Sequence, residues 1–219
     1  MAALGTPLRY LALGDSYTIG EGVAPAQRWP LQLVDGLRAY GWNVAPPQII
    51  ATTGWTTNEL QTGIDAAAPQ GPFALVSLLI GVNNQYRGRS LDEYRQQFEA
   101  LLLRAIAFAD GHPARVFVLS IPDWGLTPFA RARSGDAALI GAQIDAFNAI
   151  AADRCSAHAV RFVDITATSR DGGDGGDAMD MLVDDGLHPS GALYARWTAL
   201  SLPAARDALG AVGSFDTIV

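Results

Sequence analysis

Residues 73–81 (FALVSLLIG) and 114–122 (ARVFVLSIP) are apolar almost from end to end. A strand with one wet face alternates apolar and polar side chains. A strand covered on both faces has no such need, and continuous runs of this kind belong to parallel sheets sandwiched between helices. Two shorter runs, 8–14 (LRYLALG) and 160–165 (VRFVDI), read the same way, and 46–54 (PPQIIATTG) supplies a weaker extended stretch. Helical patterns lie between them. Residues 90–111 place Leu91, Tyr94, Phe98, Leu101, Leu102 and Ala105 on one stripe, spaced by three and four. Ser90 and Glu93 form a capping-box pattern at its start, and Gly111 with Pro113 ends it. Residues 136–155 repeat the device with Leu139, Ile140, Ile144, Phe147 and Ile150. A last helix follows Pro189, which suits a first helical position, and carries Leu193, Trp197 and Leu200. The expected fold is α/β, a single-domain three-layer α/β/α sandwich over residues 1–219. Its sheet is mostly parallel, doubly wound and flavodoxin-like, with right-handed crossovers.

Composition narrows the chemistry. Apolar residues make up 49% of the 219 and charged residues 17%, enough for a large core. The formal net charge of −7 disfavours nucleic acid and anionic membranes as partners, and leaves a small uncharged ligand open. The N-terminal residues lack a basic segment followed by a signal-length apolar core, and no run approaches a membrane span, so the expected location is the cytoplasm. One cysteine, Cys155, excludes an intramolecular disulfide and reads as a half-buried, inert thiol. Residues 168–180 (TSRDGGDGGDAMD) space Asp171, Asp174 and Asp177 three apart between glycines. Calcium prefers such hard oxygens, but the spacing is not that of a known calcium loop, and a solvated loop is the expectation. No cofactor or metal is expected.

The first strand stops at Gly14-Asp15-Ser16. A serine there is commonly a turn residue. To act as a nucleophile it needs a base, and the base needs a group that orients it. Of three histidines, His112 and His158 follow helical patterns and read as structural. His188 stands between a glycine-rich loop and the last helix, three residues after Asp185. That spacing brings a carboxylate to the imidazole Nδ1, with Asp184 a neighbouring candidate. Attack on an ester also creates an oxyanion that needs donors. The chain offers the backbone at Ser16, a side-chain-free approach at Gly54, and the amide of Asn83 in GVNN (81–84). In a doubly wound sheet these strand ends face one crevice.

These blocks, in this order and spacing, resemble the SGNH hydrolases, also called GDSL esterases or lipases. The resemblance runs from Gly14 to His188 and into the last helix. It implies an SGNH hydrolase topology and a serine esterase. Ser16 is then the nucleophile, His188 the base and Asp185 its orienting partner; Ser16, Gly54 and Asn83 bind the oxyanion. Two positions depart from the pattern. Tyr17 replaces the usual leucine, and Asn84 replaces the aspartate that often follows the third-block asparagine.

Around this set, Asp15, Trp55, Asn84, Arg87 and Trp124 are candidate substrate contacts, with Gln85, Tyr86 and Phe129 nearby. Arg87 either holds an anionic group or stands in water, and Trp55 either walls an acyl pocket or simply packs. Short acyl esters are the expected substrates. Thioesters, lysophospholipids and acetylated sugars are alternatives on the same site. A non-catalytic small-molecule-binding module is the reading from another class, with residues 14–22 (GDSYTIGEG) as an anion-binding loop. The elbow motif G-x-S-x-G is absent, which disfavours an α/β-hydrolase, and H-E-x-x-H is absent too.

Overall fold

The computed structural model describes residues 6–133, 135–170 and 181–213. Five parallel strands form one sheet in the order β2-β1-β3-β4-β5. They are β1 (Tyr10–Gly14), β2 (Gln48–Ala51), β3 (Leu75–Leu79), β4 (Val116–Leu119) and β5 (Arg161–Val163). All five apolar stretches therefore carry a strand, each trimmed at its ends. Every residue of β1, β3 and β4 is buried, the pattern of strands covered on both faces. The hydroxyl of Tyr10 pairs with Ser77 Oγ at 2.8 Å, so this polar pair is not left unsatisfied in the core. Each fully buried leucine or valine here contributes roughly 1.5–3 kcal/mol of transfer free energy.

The helices are α1 (Ser16–Ile19), α2 (Trp29–Ala39), α3 (Thr57–Ala67), α4 (Val82–Tyr86), α5 (Leu91–Phe108), α6 (Pro128–Ala132), α7 (Ala137–Ala157), α8 (Thr166–Arg170) and α9 (Gly191–Gly213). α2 packs against α9, while α5 packs between α3 and α7. The helical stripes expected on α5 and α7 are buried except at their ends. Leu91 and Leu139 are exposed, and so is Leu200 on α9. Leu139 stands about 100° from Ile140 around the helix, off the stripe. On α9 the buried face drifts from Leu193 and Trp197 toward Ser201, Ala205 and Leu209, leaving Leu200 behind. Helix α9 also begins later than expected. Pro189 lies outside it, bridged to Leu182, and Ser190 caps the first turn by accepting from Leu193 N at 3.4 Å.

Side chains cap the starts of α5 and α7, although Glu93 accepts from Gln97 Nε2 at 3.1 Å and does not complete the expected box with Ser90. Ser90 Oγ accepts from Glu93 N, and Asp136 accepts from Leu139 N. His158 follows α7 and its Nε2 meets Glu99 at 2.7 Å, a structural position. Cys155 is fully buried, and burial pushes its thiol up to about 12, which removes the thiolate a nucleophile needs. Among the described residues no helix is long and apolar enough to cross a membrane. The Asp171, Asp174 and Asp177 loop lies outside the described residues.

The strand order fixes where a ligand binds. From β1 the chain turns outward to β2, then returns past β1 to β3. The reversal opens a crevice at the carboxyl ends of β1 and β3.

Candidate active site

Ser16 opens α1 immediately after β1, and Asn83 lies in α4 just after β3. Both therefore stand at this reversal point. The sharp exit of β1 depends on Gly14. A Cβ there would sit 2.2 Å from Thr18 Oγ1 and 2.6 Å from the Leu79 carbonyl. Asp15 caps the short helix by accepting from Tyr17 N at 3.1 Å. Its other oxygen is buried without a partner, and burial pushes its carboxyl up to about 7.

One cavity of about 190 Å³ is lined by Ser16, Gly54, Asn83 and His188, with Tyr17, Thr53, Val82, Tyr86, Trp124, Phe129 and Leu187 completing its walls. His188 Nδ1 meets Asp185 Oδ2 at 2.6 Å, and Asp185 Oδ1 accepts from the backbone N–H groups of Leu187 and His188 at 2.8 and 2.9 Å. Burial raises the Asp185 carboxyl, but these hydrogen bonds outweigh it and hold the group below its ordinary value. An ionised Asp185 accepts the hydrogen bond of Nδ1–H, which leaves the Nε2 lone pair as the basic site. Asp184 is exposed and takes no part in this pairing. Tyr17 stacks edge-on against His188 at 5.9 Å and against Trp197 at 5.8 Å, so the residue in the usual leucine position braces the imidazole.

Gly54 has φ +86°, a left-handed conformation that a side chain would strain. Its loop is pinned from several sides. Asn83 Nδ2 donates to the Trp55 carbonyl at 2.9 Å, which fixes the amide's orientation and leaves its second N–H for another acceptor. Asn84 is fully buried, accepts from Thr57 N at 3.0 Å and donates to Thr57 Oγ1 at 2.8 Å. As a donor it does what the usual aspartate cannot, because the Thr57 hydroxyl is itself bonded to Gln97. Asn84 thus ties α4 to the start of α3.

Of the five candidate substrate contacts, only Trp124 lines the cavity. Asp15 is fully buried, Asn84 is spent on Thr57, and Trp55 lies against Gly63 of α3. Arg87 donates to the Gly54 carbonyl at 2.6 Å, and its other arm spans both Glu59 oxygens at 3.2 Å. Glu59 is anchored in turn by Thr56 N at 2.8 Å, the hydrogen bond that most lowers its carboxyl, with burial opposing. The arginine thus grips the Gly54 loop. Arg87→Ala is expected to lower kcat roughly 10- to 100-fold with little change in KM, equally for neutral and anionic esters. Steady-state kinetics on such an ester pair would check this, and loss confined to the anionic ester would return Arg87 to substrate binding.

Among the described residues no group of three or more His, Cys, Asp or Glu is placed to hold a metal ion. Residues 12–196 match the model of the GDSL-like Lipase/Acylhydrolase family. The chain belongs to this family. It is accordingly a carboxylic ester hydrolase. Solved structures of the same fold include TesA, at 21% identity and a TM-score of 0.69 over 92% of this chain and 99% of that one. An acetyl xylan esterase from Geobacillus stearothermophilus is 19% identical, with a TM-score of 0.65 over 92% and 96% of the two chains. The psychrotrophic esterase EstA from Pseudoalteromonas sp., solved inhibited by monoethylphosphonate, is 16% identical with a TM-score of 0.62 over 94% and 97%. No curated protein sequence matches the chain significantly. The cavity residues come from the ends of β1, β2, β3 and β4 and from the loop before α9.

Proposed function

We propose that this chain is a serine esterase acting on short-chain carboxylic esters through an acyl-enzyme on Ser16. The observation that carries the reading is the 2.6 Å pairing of His188 Nδ1 with Asp185, on a histidine that shares its cavity with Ser16, Gly54 and Asn83. Ser16 Oγ attacks the carbonyl carbon while His188 Nε2 takes its proton. Asp185 stabilises the imidazolium. The backbone N–H groups of Ser16 and Gly54 and the remaining N–H of Asn83 receive the oxyanion. When the tetrahedral intermediate collapses, His188 returns the proton to the departing alcohol. Water then enters, loses a proton to His188 and attacks the acyl carbon; as the bond to Ser16 Oγ breaks, His188 returns that proton to Oγ and the acid is released. A cavity of about 150 Å³ holds one benzene ring, so 190 Å³ suits an acyl group of a few carbons.

Intact-mass analysis after treatment with a p-nitrophenyl ethylphosphonate tests the reading. One adduct, mapped to Ser16 and absent from Ser16→Ala, is expected. Labelling elsewhere, or no labelling while the protein still binds esters, would favour the small-molecule-binding module.

A further inference from the structure

A second cavity, of about 160 Å³, adjoins the first. Pro128, Leu126, Leu193 and Trp197 contribute much of its mainly apolar wall, with Asp123, Arg131 and three Ser or Thr hydroxyls on the remainder. Tyr17, Trp124 and Leu187 line both cavities. These three side chains are the partition between them. Tyr17 and Leu187 belong to the nucleophile helix and the triad loop. Trp124 alone stands on a separate loop, after β4, with no part in the chemistry.

The indole is held firmly. Its Nε1–H donates to Gln85 Oε1 at 2.8 Å, and Gln85 Nε2 donates on to Gln143 at 2.7 Å. Tyr86 and Phe129 stack edge-on against it at 5.5 and 6.2 Å. The loop beneath is fastened as well. Asp123 N donates to Ser169 Oγ at 2.8 Å, while its carboxylate accepts from Gly125 N and from Arg170 at 2.8 and 2.9 Å. A buried indole with its N–H paired and both ring neighbours in place has no low-cost rotamer to swing into.

We infer that Trp124, tethered by Gln85, sets the acyl-chain length of this esterase by closing the end of the nucleophile cavity, and that the adjoining cavity is a mainly apolar extension that a linear acyl chain occupies once the indole is removed. The inference rests on the serine-esterase reading above. The acyl group is the one concerned, because it stays bonded to Ser16 through both chemical steps. The alcohol must leave by the open side to admit water.

Initial rates on p-nitrophenyl esters of two to ten carbons, and on alkyl acetates of matching alcohol length, read the effect. The wild type is expected to prefer acyl chains of two to four carbons. In Trp124→Ala the ratio of kcat/KM for the eight-carbon to the two-carbon ester is expected to rise at least about 30-fold, since each methylene admitted to an apolar pocket is worth a roughly threefold gain or more. Trp124→Phe, which keeps an aromatic body and loses the tether, is expected to fall between. Phosphonate labelling of the wild type needs no variant: an octylphosphonate should label Ser16 at least about 10-fold more slowly than an ethylphosphonate. An unchanged acyl profile in either folded variant, a response confined to the alcohol series, or equal labelling by both phosphonates overturns the inference while leaving Ser16 as nucleophile. Failure of Ser16 to label at all overturns the esterase reading instead.

Discussion

Ser16→Ala and His188→Ala are each expected to lower kcat for p-nitrophenyl acetate by roughly five to six orders of magnitude, and the double variant no further. The hydroxyl is a poor nucleophile unless its proton leaves as the bond to carbon forms. Removing either member therefore removes the same step. Asp185→Asn is expected to cost about 10⁴-fold. The substituted side chain keeps an oxygen for the N–H groups of Leu187 and His188, now bound by Asp185 Oδ1, so the loop survives. What changes is the partner of Nδ1. An amide N–H placed where Asp185 Oδ2 stands, 2.6 Å from Nδ1, favours the tautomer with the proton on Nε2, the nitrogen that has to be the base. The residual rate in the Ser16 and His188 variants comes from binding and the proposed oxyanion donors, while Asp185→Asn keeps both the nucleophile and the base. A pre-steady-state burst of p-nitrophenol in the wild type, lost in each variant, checks that acylation is the step removed. Additive losses in the double variant would mean that Ser16 and His188 do not act as one unit.

The sheet was readable because burial on both faces leaves a continuous apolar run, a signal that needs no partner to interpret. β1, β3 and β4 carry it, and their order along the chain with intervening helices implies the parallel sheet. Helices α2 and α3 drew no expectation, although Trp29, Leu33 and Leu37 are spaced by four and Thr56 with Glu59 makes a capping box. Pro30 and Gly36 interrupt the first pattern, and the glycine-bearing 52–55 stretch masks the second. α4 has five residues, too few to show a period. That Ser16, Gly54 and Asn83 would share one cavity was legible because their strand ends converge by topology, whereas Asp185 and His188 stood out only through the D-x-x-H spacing before the last helix. The directions of Arg87 and Trp124 were not. Arg87 is 33 residues from Gly54, and Trp124 is 39 residues from Gln85. Contacts of that range leave no local pattern, and a charged or aromatic side chain beside an active-site motif looks alike whether it faces ligand or scaffold. Bracing of His188 by Tyr17 was hidden for the same reason, since the ring lies 171 positions away from its partner in sequence.

Asp15→Asn is expected to change the pH dependence of stability more than any other single substitution in the site. Asp15 is fully buried, one carboxyl oxygen caps α1 and the other has no partner. Burial drives the carboxyl from 3.8 up to about 7, opposed by the hydrogen bond from Tyr17 N. The hydroxyls of Tyr17, Tyr94 and Tyr194 are themselves pushed up, chiefly by burial and further by this carboxyl, so these phenols stay neutral and do nothing to hold the carboxylate ionised. Between pH 4 and 7 the folded protein holds this proton and the unfolded chain does not. Unfolding then releases a proton, and raising the pH favours the unfolded state. The stabilising protonated form is fully present below the unfolded value and its advantage is gone once pH passes 7. Three pH units at about 1.4 kcal/mol each give on the order of 4 kcal/mol. Asparagine has nothing to ionise and keeps the capping oxygen, while its amide adds one unpaired buried donor at about 1–3 kcal/mol. Denaturant unfolding from pH 4 to 8 should therefore show the wild type equal or superior at pH 4, and the variant gaining by several kcal/mol relative to it by pH 7, with no further change above. Parallel curves across this range would mean that Asp15 ionises as an ordinary carboxylate. Below pH 7 the same proton bears on the proposed mechanism, because a neutral Asp15 adjacent to Ser16 puts no negative charge beside the proposed oxyanion donors.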